Sequence, residues 1–327
     1  MKLKYIKKYP YTLKNIGLMG TIKLMFNLPF YNYKRASTRY FETKVNNYRM
    51  LLDLQDKGIS RDLFLYGTRE KEHIVFLQGC LKKGMAALDI GANIGYYSTM
   101  MGKMVGEEGK IYAVEPSMDN FNLLSLNVKL NGMDDIVDTY HVGISDKTGM
   151  GKFYQSEKSN WHTFYPEVHS GTSTESLVDT QPIDVPTITI KDFIEGKRKI
   201  ELIRMDIEGY EVEVLESIIP LVQEGNFTSR ILFEVHQPRY DDSEHNMKDC
   251  LRRLFDCGYY VKQLASHVGY KEREGREMFL RKGYKAVDLI SSDGVEREIF
   301  NDISNEDAIT FMCETDFVRT VLLEYKT

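Results

Sequence analysis

The chain has 327 residues, 42% hydrophobic and 12% aromatic, enough to bury one large domain and inconsistent with disorder of the whole chain. A net charge of −5 argues against a protein that coats nucleic acid over its whole surface. The cysteines, Cys80, Cys250, Cys257 and Cys313, form no CxxC pair and no histidine lies at finger spacing, so reduced thiols are expected and a structural zinc site is not.

Residues 1–44 hold ten Lys and Arg and one acidic residue, Glu42, which leaves 33 basic and 47 acidic residues, a balance of −14, in the remainder. A basic arm on an acidic body points to an anionic contact. Within it Ile16–Phe30 is largely apolar, with Lys14 and Lys23 beside it. It reads as a helix lying on an anionic membrane, or as one packed on the core or on a partner subunit; the second is the simpler reading. No run of 18 apolar residues occurs and the N-terminus makes a poor signal peptide, so a cytoplasmic protein, at most membrane-associated, is expected.

Residues 45–83 show helix-like spacing through Tyr48, Leu51, Leu52 and Leu54, and again through Ile74, Phe76 and Leu77. From 84 to 265 strands and helices alternate. Strands are predicted at Ala86–Ile90, Lys110–Val114, Thr139–Ile144, Ile200–Met205, Ile231–Val235 and Tyr259–Leu264. Helices are predicted at Tyr96–Val105, from an N-cap at Ser117 to Leu130, at Tyr210–Ile219 (ended by Pro220) and at Met247–Asp256. This alternation implies an α/β fold, a doubly wound, mostly parallel sheet with ligands at the carboxyl ends of its strands. Between the third and fourth strands, Gly149–Gln155 and Val185–Ile190 read as extra strands. They flank a polar stretch, Ser156–Thr180, with Trp161, His162, Tyr165 and His169; such a long loop suggests a lid.

The chemistry gathers at strand ends. In Asp89-Ile90-Gly91-Ala92-Asn93-Ile94-Gly95 a strand runs into a helix through a turn where Gly91 and Gly95 permit close ligand approach. Asp89 can accept from an ammonium group and the helix N-terminus can receive a carboxylate, so a zwitterionic amino-acid tail fits both. Asn93 and Tyr96 stand where a dinucleotide fingerprint needs its second and third glycines, which disfavours a dinucleotide-dependent oxidoreductase or epimerase. Glu115, ending the second strand, can accept from ribose hydroxyls. Asp146 can accept from an adenine amino group, or can belong to a plain turn. Asp206 and Glu208, after the fourth strand, can bind acceptor hydroxyls or take a proton. Glu211 reads as a helix-dipole residue. Glu234 and His236 share a face at the end of the fifth strand, where His236 can act as a base.

Taken together, LDIGANIGYYS at 88–98, VEP at 114–116, SDKTG at 145–149, IRMDIEGYEVEVLE at 203–216 and LFEVH at 232–236 resemble the FkbM-type family of class I methyltransferases. The resemblance implies S-adenosylmethionine as cofactor, bound through Asp89, Gly91, Asn93, Gly95, Glu115 and Asp146. It implies methylation of a hydroxyl on a sugar, glycan or related metabolite, with Asp206, Glu208, Glu234 and His236 as the catalytic set. His236 or Asp206 would be the base, and no metal is expected. It also implies a Rossmann-like class I methyltransferase domain over 60–265, with an insertion about 150–190, following a basic helical extension over 1–59. Residues 266–327 would form a C-terminal extension packed on the same domain. Arg204 stands where the family often has lysine. A nucleic-acid methyltransferase is the nearer rival, disfavoured by the acidic body. The expected partners are a small-molecule or glycan substrate, no nucleic acid, an anionic membrane touched by the arm, and a second copy in a homo-oligomer.

Overall fold

A computed structural model describes residues 9–165, 181–237, 240, 244–267, 272–292 and 295–326; His169 and the rest of 166–180 lie outside the described residues. In chain order the elements are α1 (Tyr9–Ser37), β1 (Tyr40–Val45), β2 (Tyr48–Asp53), α2 (Ile59–Tyr66), α3 (Lys71–Cys80), β3 (Ala86–Ile90), α4 (Tyr96–Val105), β4 (Lys110–Val114), α5 (Met118–Leu130), β5 (Val137–Tyr140), β6 (Gly143–Ile144), β7 (Gly149–Phe153) and β8 (Ile183–Ile188). They continue as α6 (Ile190–Ile194), β9 (Leu202–Met205), α7 (Glu211–Gln223), β10 (Arg230–Glu234), α8 (Met247–Asp256), β11 (Tyr259–Ser266), α9 (Glu272–Arg281), β12 (Asp288–Ser292), β13 (Val295–Asn301), α10 (Asn305–Cys313) and β14 (Val318–Tyr325).

A nine-stranded sheet organises the chain, in the order β12-β13-β11-β14-β10-β9-β3-β4-β5. The five strands from β10 to β5 are parallel. The strand direction of travel reverses between β3 and β9, the switch point where a doubly wound sheet opens a crevice. All five residues of β3 are buried, as a strand covered on both faces requires. Ala86, Leu88 and Ile90 face the core beneath α6, α7, α8 and α10, while Ala87 faces the core beneath α2 to α5. The alternating α/β reading therefore holds, with β3, α4, β4 and α8 at their predicted bounds.

Four expectations change. Tyr48–Asp53 is a strand, not a helix. It pairs with β1 through a two-residue turn, Asn46-Asn47, both at positive φ, the hairpin geometry that asparagine tolerates. The third strand divides, β5 staying in the main sheet and β6 pairing with β8 in a three-stranded sheet with β7. Pro220 does not end its helix, because burial of Leu221 and Val222 carries α7 on to Gln223. The C-terminal segment is not appended to the domain: β14 enters the sheet between β10 and β11, antiparallel to both. No helix among the described residues is long and apolar enough to cross a membrane.

Candidate active site

At the switch point, the loop after β3 is shaped by its glycines. Gly91 has φ +73°, and a Cβ there would lie 2.4 Å from the Asp206 carbonyl oxygen, so the loop after β9 presses directly on it. Gly95, at φ +84°, caps α4, and its Cβ would meet Leu124; its role is packing. Asn93 is held at φ 51°, its backbone N–H donating to Glu115 Oε2 (2.8 Å) and its amide to the Ser159 carbonyl (2.9 Å).

One pocket, of about 490 Å³, opens beside this loop. Gly91, Asn93 and Glu115 line one side, Asp206 and Glu208 another, and Val142, Gly143, Ile144, Phe153 and Phe164 an apolar wall. Burial pushes the Glu115 carboxyl up to about 7, against the pull of N–H donors from Ser117 and Asn93. A strap, residues 156–165, crosses the mouth. The Ser159 carbonyl accepts from Asn93 and Asn120, and its N–H donates to Asp56. Thr163 Oγ1 donates to the Glu208 carbonyl (3.2 Å).

Three expected ligand contacts are absent from this pocket: Gly95, which packs on Leu124, Asp89 and Asp146. Asp89 is fully buried beneath the loop, accepting from Ser98 Oγ (2.6 Å) and from Arg204 Nη1 (3.2 Å). It is absent from the pocket lining, so Asp89 braces the loop rather than facing an ammonium group. Asp146 also stands off the lining; its Oδ1 accepts from the Ser145 and Tyr210 hydroxyls.

Behind Asp206 and Glu208 lies a dense charge network. His236 Nε2 is 3.0 Å from Glu234, 3.4 Å from Glu208 and 3.9 Å from Asp206, and Nδ1 is 2.9 Å from Glu211. Burial alone would lower its pKa, but Glu208, Glu211 and Glu234 outweigh it and raise it well above the usual histidine value. His236 is therefore an imidazolium with both ring N–H groups engaged, an arrangement unsuited to a resting base. Burial also works against the Glu234 carboxylate, yet Arg319 and His236 hold its pKa below the usual range. Arg204, 2% exposed, spans Asp89 and Asp206 (Nη2 to Oδ2, 3.0 Å) with its guanidinium over Tyr97.

Sequence reading missed much of this network. Glu211 does more than favour a helix dipole: it accepts from the Ile207 and Gly209 N–H groups and fixes His236, while Glu208 is held at φ 56°. Its place in Asp206-x-Glu208-Gly209-x-Glu211 was the available signal. Arg319, on β14, pairs with both Glu234 and Glu70, and Tyr97 donates to Glu70; no local pattern announces these. Asp206, Glu234 and His236 offer atoms within 4.8 Å of one another, close enough to hold a divalent ion. Arg204 pairs with Asp206 and Arg319 with Glu234, each guanidinium being shared with a second carboxylate, Asp89 and Glu70.

Comparison with known proteins adds three findings. The family described as Methyltransferase FkbM domain matches residues 89–261, just over half of the chain. Methyltransferase sdnD of Sordaria araneosa is 27% identical over 154 residues, covering 40% of this chain and 59% of that protein. The hexuronic acid methyltransferase AglP of Haloferax volcanii is 23% identical over 150 residues, covering 45% and 54%. The chain thus spans little more than half the length of these curated relatives. Among solved structures, a precorrin-6y C5,15-methyltransferase from Geobacter metallireducens aligns at TM-score 0.39 and 14% identity, covering 79% of this chain and 90% of that one. A methyltransferase from Pyrococcus furiosus aligns at 0.37 and 15%, covering 76% and 87%.

Proposed function

The chain belongs to the FkbM methyltransferase family, and from that premise we propose that it transfers the methyl group of S-adenosylmethionine to a hydroxyl oxygen of a sugar or glycan acceptor. The observation that carries this reading is the shared pocket: Gly91, Asn93 and Glu115 line it together with Asp206 and Glu208. The close-packed Gly91 turn and the buried Glu115 acceptor fit the donor's amino-acid tail and ribose. The apolar wall from Val142 to Ile144, with Phe164, fits a purine face. When bound, S-adenosylmethionine supplies an electrophilic methyl group.

The protein's own part is to bind, orient and deprotonate the acceptor. Asp206 takes the hydroxyl proton in this reading, because it is part-exposed on the pocket side while His236 is saturated by carboxylates. Glu208 holds a neighbouring hydroxyl, and the His236 imidazolium fixes Glu208 and Glu234 in place. Positioning supplies much of the rate, since holding reactants in register can replace several kcal/mol of entropy. A sugar acceptor is supported by the similarity to a hexuronic acid methyltransferase.

The test has two arms. Calorimetry with S-adenosylhomocysteine and with NAD separates the donor class: binding of NAD in place of S-adenosylhomocysteine would overturn the reading. A methyl-transfer screen over glycans and lipid-linked sugars, read as a mass shift, then identifies the acceptor.

A further inference from the structure

The helix α1 presents two apolar faces, and only one is accounted for by the fold. On the inner face Tyr31 is buried and donates from its hydroxyl to the Leu54 carbonyl (3.0 Å). Asn27 donates to the Leu65 carbonyl (2.7 Å), and Lys23 to that of Tyr66 (2.9 Å). These contacts fix the helix on α2 and the hairpin.

The outer face carries Ile22, Met25, Phe26, Pro29 and Tyr33, every one exposed, and Phe30 at its edge, half-exposed with its ring against Phe41 and Phe64. Their spacing, i, i+3, i+4, i+7, i+8 and i+11, places them in one stripe, about 16 Å long at 1.5 Å per residue. Phe26 is 76% exposed, Tyr33 69% and Met25 54%. Scattered exposed apolar residues are ordinary, but a continuous aromatic stripe marks an interaction surface.

We propose that this face of α1 is a membrane-docking surface, lying in the headgroup layer of an anionic bilayer. Charge decides the occupant. At 100° per residue Lys23 and Lys34 fall along one edge of the stripe. The Lys34 ammonium stands over the Phe30 ring, 5.5 Å from its centroid. Residues 1–44 carry ten basic side chains against one acidic. Pairing this face with a second copy of itself would bring two such arms together, like charge on like. Anionic headgroups neutralise the arm while the acyl boundary takes up the aromatics, and such helices need both contributions. The acidic remainder of the chain is repelled from the same surface, which orients the molecule with α1 downward.

The experiment is co-sedimentation of the full chain with vesicles of phosphatidylcholine alone and of phosphatidylcholine mixed with phosphatidylglycerol, at low and raised salt. The wild type should partition to the mixed vesicles, less so as salt rises. Phe26→Asp/Tyr33→Asp, whose side chains the fold leaves exposed, should melt at the wild-type temperature and bind those vesicles at least about tenfold more weakly, as expected for losing a buried aromatic. Equal partitioning of variant and wild type would overturn the proposal, as would failure of the wild type to bind mixed vesicles. Light scattering provides the remaining check. A wild-type dimer that the double variant converts to monomer would make a second copy the occupant, and would also overturn it.

Discussion

Replacing Arg204 by methionine removes the cation that joins Asp89 to Asp206 while keeping a long apolar side chain over Tyr97. Both Arg204 and Asp89 are almost wholly inaccessible, so solvent cannot take over the lost interaction. Breaking a buried pair by deleting one partner costs about 3–5 kcal/mol, because the remaining charge is left uncompensated. The same loss corresponds to a fall in melting temperature of roughly 4–7 °C for a chain of this size. Burial already raises the Asp89 pKa, and Arg204 and Ser98 oppose that rise. Without Arg204 the folded-state pKa climbs further above the unfolded value, so the folded variant binds a proton that the unfolded chain releases. Stability then falls as pH rises, and the deficit against wild type should widen from pH 5 to pH 8. Urea unfolding at several pH values measures it. Arg204→Lys should recover part of the loss, since an ammonium can reach a carboxylate but lacks the two-pronged fork. A methionine variant within about 1 kcal/mol of wild type at pH 8, the size of an ordinary substitution, would refute the reasoning.

Three other outcomes are expected. Asp206→Ala and His236→Ala should bind S-adenosylhomocysteine normally in calorimetry yet lose turnover, by roughly 10²–10⁴-fold for Asp206 as a proton acceptor; full activity in both would dismiss the assignment. Glu115, pushed up to about 7 by burial, is protonated at low pH and in the proposed role accepts ribose hydroxyls as the carboxylate, so affinity for S-adenosylhomocysteine should increase from pH 6 to pH 8. Glu115→Gln should abolish that increase, and a pH-independent wild type would contradict the role. Turnover should be unchanged by EDTA, because guanidinium groups already pair with Asp206 and Glu234; inhibition reversed by a divalent ion would place a metal in the cluster.

What the sequence made legible was local. The strand ending in Asp89-Ile90-Gly91 and the helix from Tyr96 were readable because apolar run, glycine turn and helix periodicity agree there. The hairpin was not, since Leu51, Leu52 and Leu54 satisfy a helical spacing as well as a strand's, and burial in the fold decided between them. The site divides in the same way. Asp206 and Glu208 could be placed from the strand end that carries them. The inward turn of Asp89 could not, because it depends on Arg204 arriving from a neighbouring strand. Glu70 and Arg319 are 249 positions apart, and the fold alone brings them to Glu234 and Tyr97.

The placement of β14 also governs how the molecule can be assembled. Residues 318–325 form an interior strand, bonded to β10 on one side and β11 on the other. Until those residues emerge from the ribosome, the nascent sheet has a gap, with two strand edges open to other chains. Folding of the sheet can therefore be completed only after residues 318–325 have emerged. Arg319 arrives with that strand, so the ion pair on Glu234 is also among the last made. A premature stop before Val318 would leave an aggregation-prone fragment in which Glu234 lacks Arg319.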